Sequence, residues 1–177
     1  MRLLILTGLM GVLAGCTEVR SIEPLHAPDT LVFDPALLGV WKEDDGPGLY
    51  VVREGRDRSY EIFVTSTENE SAQRYRGHLV RLAGEWFLDV TDAGNTGFAV
   101  PAYGFARVRS RGDEMEVAFL ETEYLRKEVI PKSGLSRFSV EKTVILTAPT
   151  ADLVDWVRRQ AADPRCFAEP LKLIRTR

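Results

Sequence analysis

Three pairs of short alternating segments, each pair joined by a tight turn, leave this 177-residue chain few folds to choose from. LYVVREG, residues 49–55, leads through the loop Glu54-Gly55-Arg56-Asp57-Arg58 into SYEIFVTS, residues 59–66. In the second segment Tyr60, Ile62 and Val64 share one face, and Glu61, Phe63 and Thr65 share the other. That is the two-residue period of a strand. RYRGHLVRL (74–82) and EWFLDVT (85–91) repeat the arrangement about Ala83-Gly84. GFARVRS (104–110) and DEMEVAFL (113–120) repeat it about Arg111-Gly112-Asp113, with Met115, Val117 and Phe119 on one face. SVEKTVILTA (139–148) reads as the last strand of this series, and PLKLIR (170–175) as a short closing strand.

Connections this short allow only antiparallel neighbours. A long meander left open would expose two sheet edges, and closure removes both. The predicted fold is mainly β: an antiparallel meander of seven or eight strands closing into a barrel. The rival is a strongly curved, half-open sheet wrapped on a late helix. Two segments carry a helical period instead. Residues 121–131 put Tyr124, Leu125 and Val129 on one stripe, and Pro131 ends it. Residues 150–162 are the stronger case, with Thr150 as the predicted N-cap and Asp152 in the first turn, where the helix dipole favours it. Leu153, Trp156, Val157 and Ala161 make one apolar face, predicted to pack on the outside of the barrel.

The first residues carry a different signal. Arg2 precedes an apolar run, residues 3–14, that is too short to cross a membrane, which needs about 20 residues. It has the length of the core of an export signal. The run ends in Leu13-Ala14-Gly15-Cys16, which resembles the lipobox of bacterial lipoproteins. The resemblance implies a signal peptide over residues 1–15 and cleavage between Gly15 and Cys16. It also implies acylation of Cys16 by diacylglycerol and a palmitate-type chain. Several acyl chains anchor stably where one holds only marginally. Thr17 at the next position implies sorting to the outer membrane, with the protein facing the periplasm. Residues 16–32 follow as a lipidated N-terminus and tether, broken by Pro24 and Pro28. His26 is read there as a solvated linker residue. Residues 33–177 are left as a single domain, a size that supports one core.

Gly39-Val40-Trp41 is similar to the Gly-x-Trp element that opens lipocalins. The order strand, amphipathic helix, short final strand at the other end is similar to theirs too. The resemblance implies a lipocalin-like (calycin) barrel with Trp41 closing one end. Lipocalins carry an arginine at the end of the strand before the helix, packed on that tryptophan, and Ala148 stands at about that place here.

The survey for chemistry is mostly negative. The net charge of −3 gives no footprint for nucleic acid and no polybasic membrane patch. With Cys16 lipidated, Cys166 is the only other cysteine, so no internal disulfide forms, and it is expected to be a small buried hydrophobe. His78 is the only histidine within residues 33–177 and is read as structural. No serine sits in a nucleophile elbow, and no cysteine–histidine pair is evident. One histidine and one cysteine do not make an ordinary zinc site, so no metal and no cofactor is expected. Asp89-x-x-Asp92-x-x-Asn95 lacks calcium-loop spacing and reads as a polar turn. Glu43-Asp44-Asp45 reads as a solvated loop.

The chain is therefore expected to be no enzyme. Tyr60, Ile62, Val64, Leu79, Val117 and Phe119 would face inward in a barrel and line any ligand cavity. The expected function is a membrane-anchored lipoprotein holding a lipid-like or other apolar small molecule. The alternative is an envelope interaction protein with a filled core, docking a protein partner through the face of Arg74, Arg76 and Arg81.

Overall fold

A computed structural model describes residues 18–66, 69–94 and 100–176. The expected signal peptide, its cleavage site at Gly15 and Cys16, the lipidation of Cys16, and Asn95 lie outside the described residues.

Two short strands, β1 (Val19–Ser21) and β2 (Leu31–Val32), precede the barrel. A meander of seven strands follows: β3 (Gly39–Glu43), β4 (Gly48–Glu54), β5 (Ser59–Ser66), β6 (Asn69–Leu82), β7 (Glu85–Asp92), β8 (Tyr103–Arg111) and β9 (Glu114–Phe119). Next come a turn of α-helix, α1 (Thr122–Tyr124), a π-helical turn over Leu125–Val129, the hairpin β10 (Arg137–Val140) and β11 (Thr143–Leu146), the helix α2 (Thr150–Gln160) and the final strand β12 (Leu171–Arg175). Each strand of the meander pairs antiparallel with the next, and β12 lies between β9 and β3, with Leu173 opposite both Met115 and Glu43. The result is a closed antiparallel barrel of eight strands. The meander, its turns and the closure follow the sequence expectation. Ala83 and Gly84, both at positive φ, make the β6–β7 turn, and Gly112 does the same between β8 and β9.

The expected last strand of the series is not a stave. Residues 137–146 fold back on themselves as β10 and β11, with Glu141 at φ 52 between them. β11 runs parallel to β1, with Val19 opposite Val144, and β1 joins β8 at Tyr103. The sheet forks on β8: Tyr103 meets β1, while residues 106–111 meet β9. The barrel is closed instead by PLKLIR, as β12 between β3 and β9.

The segment expected to be a tether is laid on the barrel from Glu18 onward. After β1 it runs as a strap across the outer wall, with Leu25 fully buried beneath it. β2 pairs with the part of β6 that extends past the start of β5, with Leu31 opposite Val80. Thr150 is not the N-cap. Pro149 holds that position, and the Thr150 hydroxyl donates to the Pro24 carbonyl at 2.9 Å, tying α2 to the strap.

Alternation sorts the apolar residues into two cores. One fills part of the lumen, with Trp41, Tyr60, Leu79, Leu88, Val108 and Leu173 among its members. The other lies outside, where Val80, Leu82, Phe87 and Phe105 on the outer faces of β6, β7 and β8 meet α2 through Leu153, Trp156 and Val157. The helix packs on the outside of the barrel, as expected. Cys166 is fully buried in the outer core, and burial pushes its thiol up to about 11.

Candidate functional site

The lumen is closed at one end by a set of interlocking contacts. Asp34 caps the helical turn Pro35–Leu37, and its backbone N–H donates to the Tyr60 hydroxyl at 2.7 Å. Trp41 has no exposed surface, and its indole N–H donates to the Leu37 carbonyl at 3.0 Å. The Arg175 guanidinium lies 4.1 Å from the centre of the Trp41 ring and also donates to the carbonyls of Leu38 and Ala36. The arginine that Ala148 did not supply is thus present on β12. The stave next to Trp41 comes after the helix rather than before it.

Above this floor the lumen is not filled. A cavity of about 300 Å³ extends toward the strand ends remote from Trp41 and, among the described residues, is open on one side. Tyr60, Ile62, Val64, Val117 and Phe119 are among the residues that line it. Leu79 packs in the lumen core without lining the cavity. The empty space has a local cause: Gly104 and Ala106 on β8 present almost no side chain. A Cβ added at Gly104 would meet only the Val90 carbonyl oxygen, at 4.0 Å.

Polar groups gather toward the open side. Arg20, Gln73 and Asp92 reach the cavity there, and the Tyr75 hydroxyl donates to Gln73 Oε1 at 2.7 Å. Glu43 is not in a solvated loop. It ends β3 facing the lumen, nearly buried, where its carboxylate accepts from the Tyr50 hydroxyl at 2.7 Å and from the Gly48 N–H at 3.2 Å. Burial, then the Glu43 carboxylate, push the Tyr50 phenol far above its ordinary range. Reading Glu43-Asp44-Asp45 as one acidic unit hid this pair. The alternation of β3, which puts Trp41 and Glu43 on the same face, carried the signal.

A second cluster sits on the outer wall beneath the strap. His78 and Asp89 are directly opposite one another on β6 and β7. Asp89 is mid-strand rather than in a turn, and fully buried. Its Oδ2 accepts from the Leu25 N–H at 2.9 Å and the His26 N–H at 3.2 Å, and lies 2.7 Å from His26 Nδ1. Its Oδ1 lies 3.5 Å from His78 Nδ1. The His26 and His78 rings stack at 3.8 Å. Burial works to raise the Asp89 carboxyl, but the two imidazoles outweigh it and hold the carboxyl below the ordinary range. His26 is thus bound to the barrel rather than solvated. The arginine face is also split. Arg74 and Arg76 point outward, and Arg74 pairs with Glu61 at 2.7 Å, but Arg81 has the opposite parity and lies over the Trp86 ring.

No protein-family model, curated protein or solved structure matches the chain.

Proposed function

We propose that this chain is a lipid-anchored envelope protein whose barrel carries one apolar small molecule. The observation that supports it most is the partly empty lumen: about 300 Å³, walled by Ile62, Val64, Val90, Val117 and Phe119, with Arg20, Gln73 and Asp92 among the polar residues that reach it. Small-molecule sites start at about this volume and combine an apolar wall with a few polar groups that fix orientation. The volume fits one acyl chain or a compact ring system rather than a multi-chain lipid. An amphipathic ligand would put its apolar part toward Tyr60 and its polar end toward Arg20, Gln73 and Asp92. No step of chemistry is assigned to these residues: the role is binding, with no enzymatic turnover.

The anchor is the second part of the proposal. It rests on Arg2, the apolar run of residues 3–14 and Leu13-Ala14-Gly15-Cys16. Acylated Cys16 would hold the protein at the outer membrane facing the periplasm, where an apolar ligand has membranes as source and sink. The packing of residues 18–32 on the barrel supports a short reach, with the domain close to the lipid surface. The empty lumen weighs against the alternative of a filled interaction domain.

Native mass spectrometry of the protein purified from its envelope tests the binding role. The expected spectrum contains a species heavier by one small organic molecule, which organic solvent removes. A ligand-free mass alone, with no uptake from added fatty acid, would sink the proposal.

A further inference from the structure

We infer that His26, His78 and Asp89 form a site for one divalent transition metal ion, zinc by preference, which clamps the N-terminal strap to the barrel wall. The three residues come from three separate segments: the strap, β6 and β7. One ligand atom from each lies within 4.8 Å of the others. Nitrogen and oxygen ligands stand about 2.0–2.1 Å from zinc, so neighbouring ligand atoms at a tetrahedral angle are about 3.3 Å apart. The 3.5 Å between His78 Nδ1 and Asp89 Oδ1 is close to that spacing, and it is longer than an ordinary hydrogen bond.

Those two atoms are also loosely held. His78 Nδ1 and Asp89 Oδ1 are both buried, face each other only across this long ion-pair contact, and neither has a hydrogen-bond partner. Buried polar atoms normally find a partner at hydrogen-bond distance, and an ion between these two would supply one to both. The remaining carboxylate oxygen is already oriented. The N–H groups of Leu25 and His26 hold Oδ2, as outer hydrogen bonds hold a metal-ligating carboxylate elsewhere. His26 Nδ1 now lies against Oδ2. Binding turns this nitrogen to the ion, and the proton shared there leaves to solvent, because a ligating imidazole must be free of it.

The donor set selects the ion. Two imidazoles and one carboxylate suit zinc and its neighbours, whereas calcium and magnesium require mostly oxygen. The side chains of His26 and His78 keep 18% and 13% of their surface exposed, so solvent can deliver the ion and supply a water as the fourth ligand. With His26 read as part of a free tether, a single histidine was left for the domain, and a metal site was not expected from the sequence.

The test uses the purified chain stripped with a chelator. Titration calorimetry with zinc should give one site per chain, with a rise in melting temperature that neither magnesium nor calcium reproduces. Cobalt should give the visible absorption of a tetrahedral site. His26→Gln alters the strap alone and leaves every barrel strand intact. It should weaken zinc binding by at least about 100-fold, as His78→Gln should. No heat and no thermal shift in the unaltered chain would overturn the assignment. So would equal affinity in the chain and in a folded His26→Gln variant, which would put the zinc elsewhere.

Discussion

Replacing Trp41 by alanine tests the closed end of the barrel. The indole has no exposed surface, donates to the Leu37 carbonyl at 3.0 Å and lies under the Arg175 guanidinium at 4.1 Å. Removing a buried tryptophan costs about 3–5 kcal/mol. The lost hydrogen bond adds about 1 kcal/mol, and the partly exposed cation–ring contact about 0.5–1 kcal/mol. The upper part of the range is expected, because Arg175 is tied to the carbonyls of Leu38 and Ala36 and cannot follow the retreating side chain. In a domain of this size each kcal/mol lowers the melting temperature by about 2–4 °C, so a loss of about 4–5 kcal/mol should lower it by about 8–20 °C. Urea denaturation followed by far-ultraviolet dichroism measures it, with Trp86 and Trp156 fluorescence as a second probe. Trp41→Phe should keep most of the packing and lose only about 1–2 kcal/mol. Trp41 does not line the cavity, so ligand affinity of the folded variant should be unchanged. A loss below about 1 kcal/mol for the alanine variant would refute the assignment of this contact as the barrel's plug.

Other predictions follow from the outer core and the chain ends. Trp156→Ala should also cost about 3–5 kcal/mol, because the side chain is fully buried between α2 and the barrel wall, yet it should leave lumen binding intact. A weakened ligand affinity in a folded Trp156→Ala variant would contradict the separation of the two cores. Cys166, with its thiol at about 11, should resist iodoacetamide at pH 8 and react only on unfolding, and rapid labelling of the native protein would show that the site is open. Cys16→Ser should abolish acylation and leave the signal-bearing form. Radiolabelled palmitate persisting on that variant would refute the anchor.

Local pattern and long-range pairing divide what the sequence could reveal from what it could not. The alternation of Tyr60, Ile62 and Val64 and of Met115, Val117 and Phe119 is a property of the strand itself, and it put these side chains in the lumen without knowledge of any neighbour. The place of β12 is different. Leu171–Arg175 reads as a strand, but whether it closes the barrel depends on Leu173 meeting Met115 and Glu43, far away in the chain. Nothing inside PLKLIR states that choice, so Arg175 was missed as the partner of Trp41. The strap was missed for a related reason. Pro24 and Pro28 signal irregular backbone, and irregular backbone packed on a wall looks locally the same as a free tether. His26 finds Asp89 across 63 residues, a contact with no local signature. The volume of the cavity was out of reach too. It depends on the space that Gly104 and Ala106 leave beside Val90 and Leu88, their partners on β7, and across the lumen, not on how apolar each strand is.

Displacement of a fluorescent fatty acid from the unaltered chain and from Gly104→Phe shows whether the lumen holds an apolar ligand. Gly104 has ordinary strand backbone, and a side chain there would enter the cavity with its Cβ no nearer than 4.0 Å to a neighbour, the Val90 carbonyl oxygen. An aromatic residue also suits a strand better than glycine does. Saturable binding of one molecule per unaltered chain at micromolar concentration is expected. In Gly104→Phe the affinity should be at least about tenfold weaker, the loss that follows when about 1.4 kcal/mol of contact is removed, with a melting temperature equal to or above that of the unaltered protein. Equal binding by both chains, or none by either, would contradict binding in the lumen.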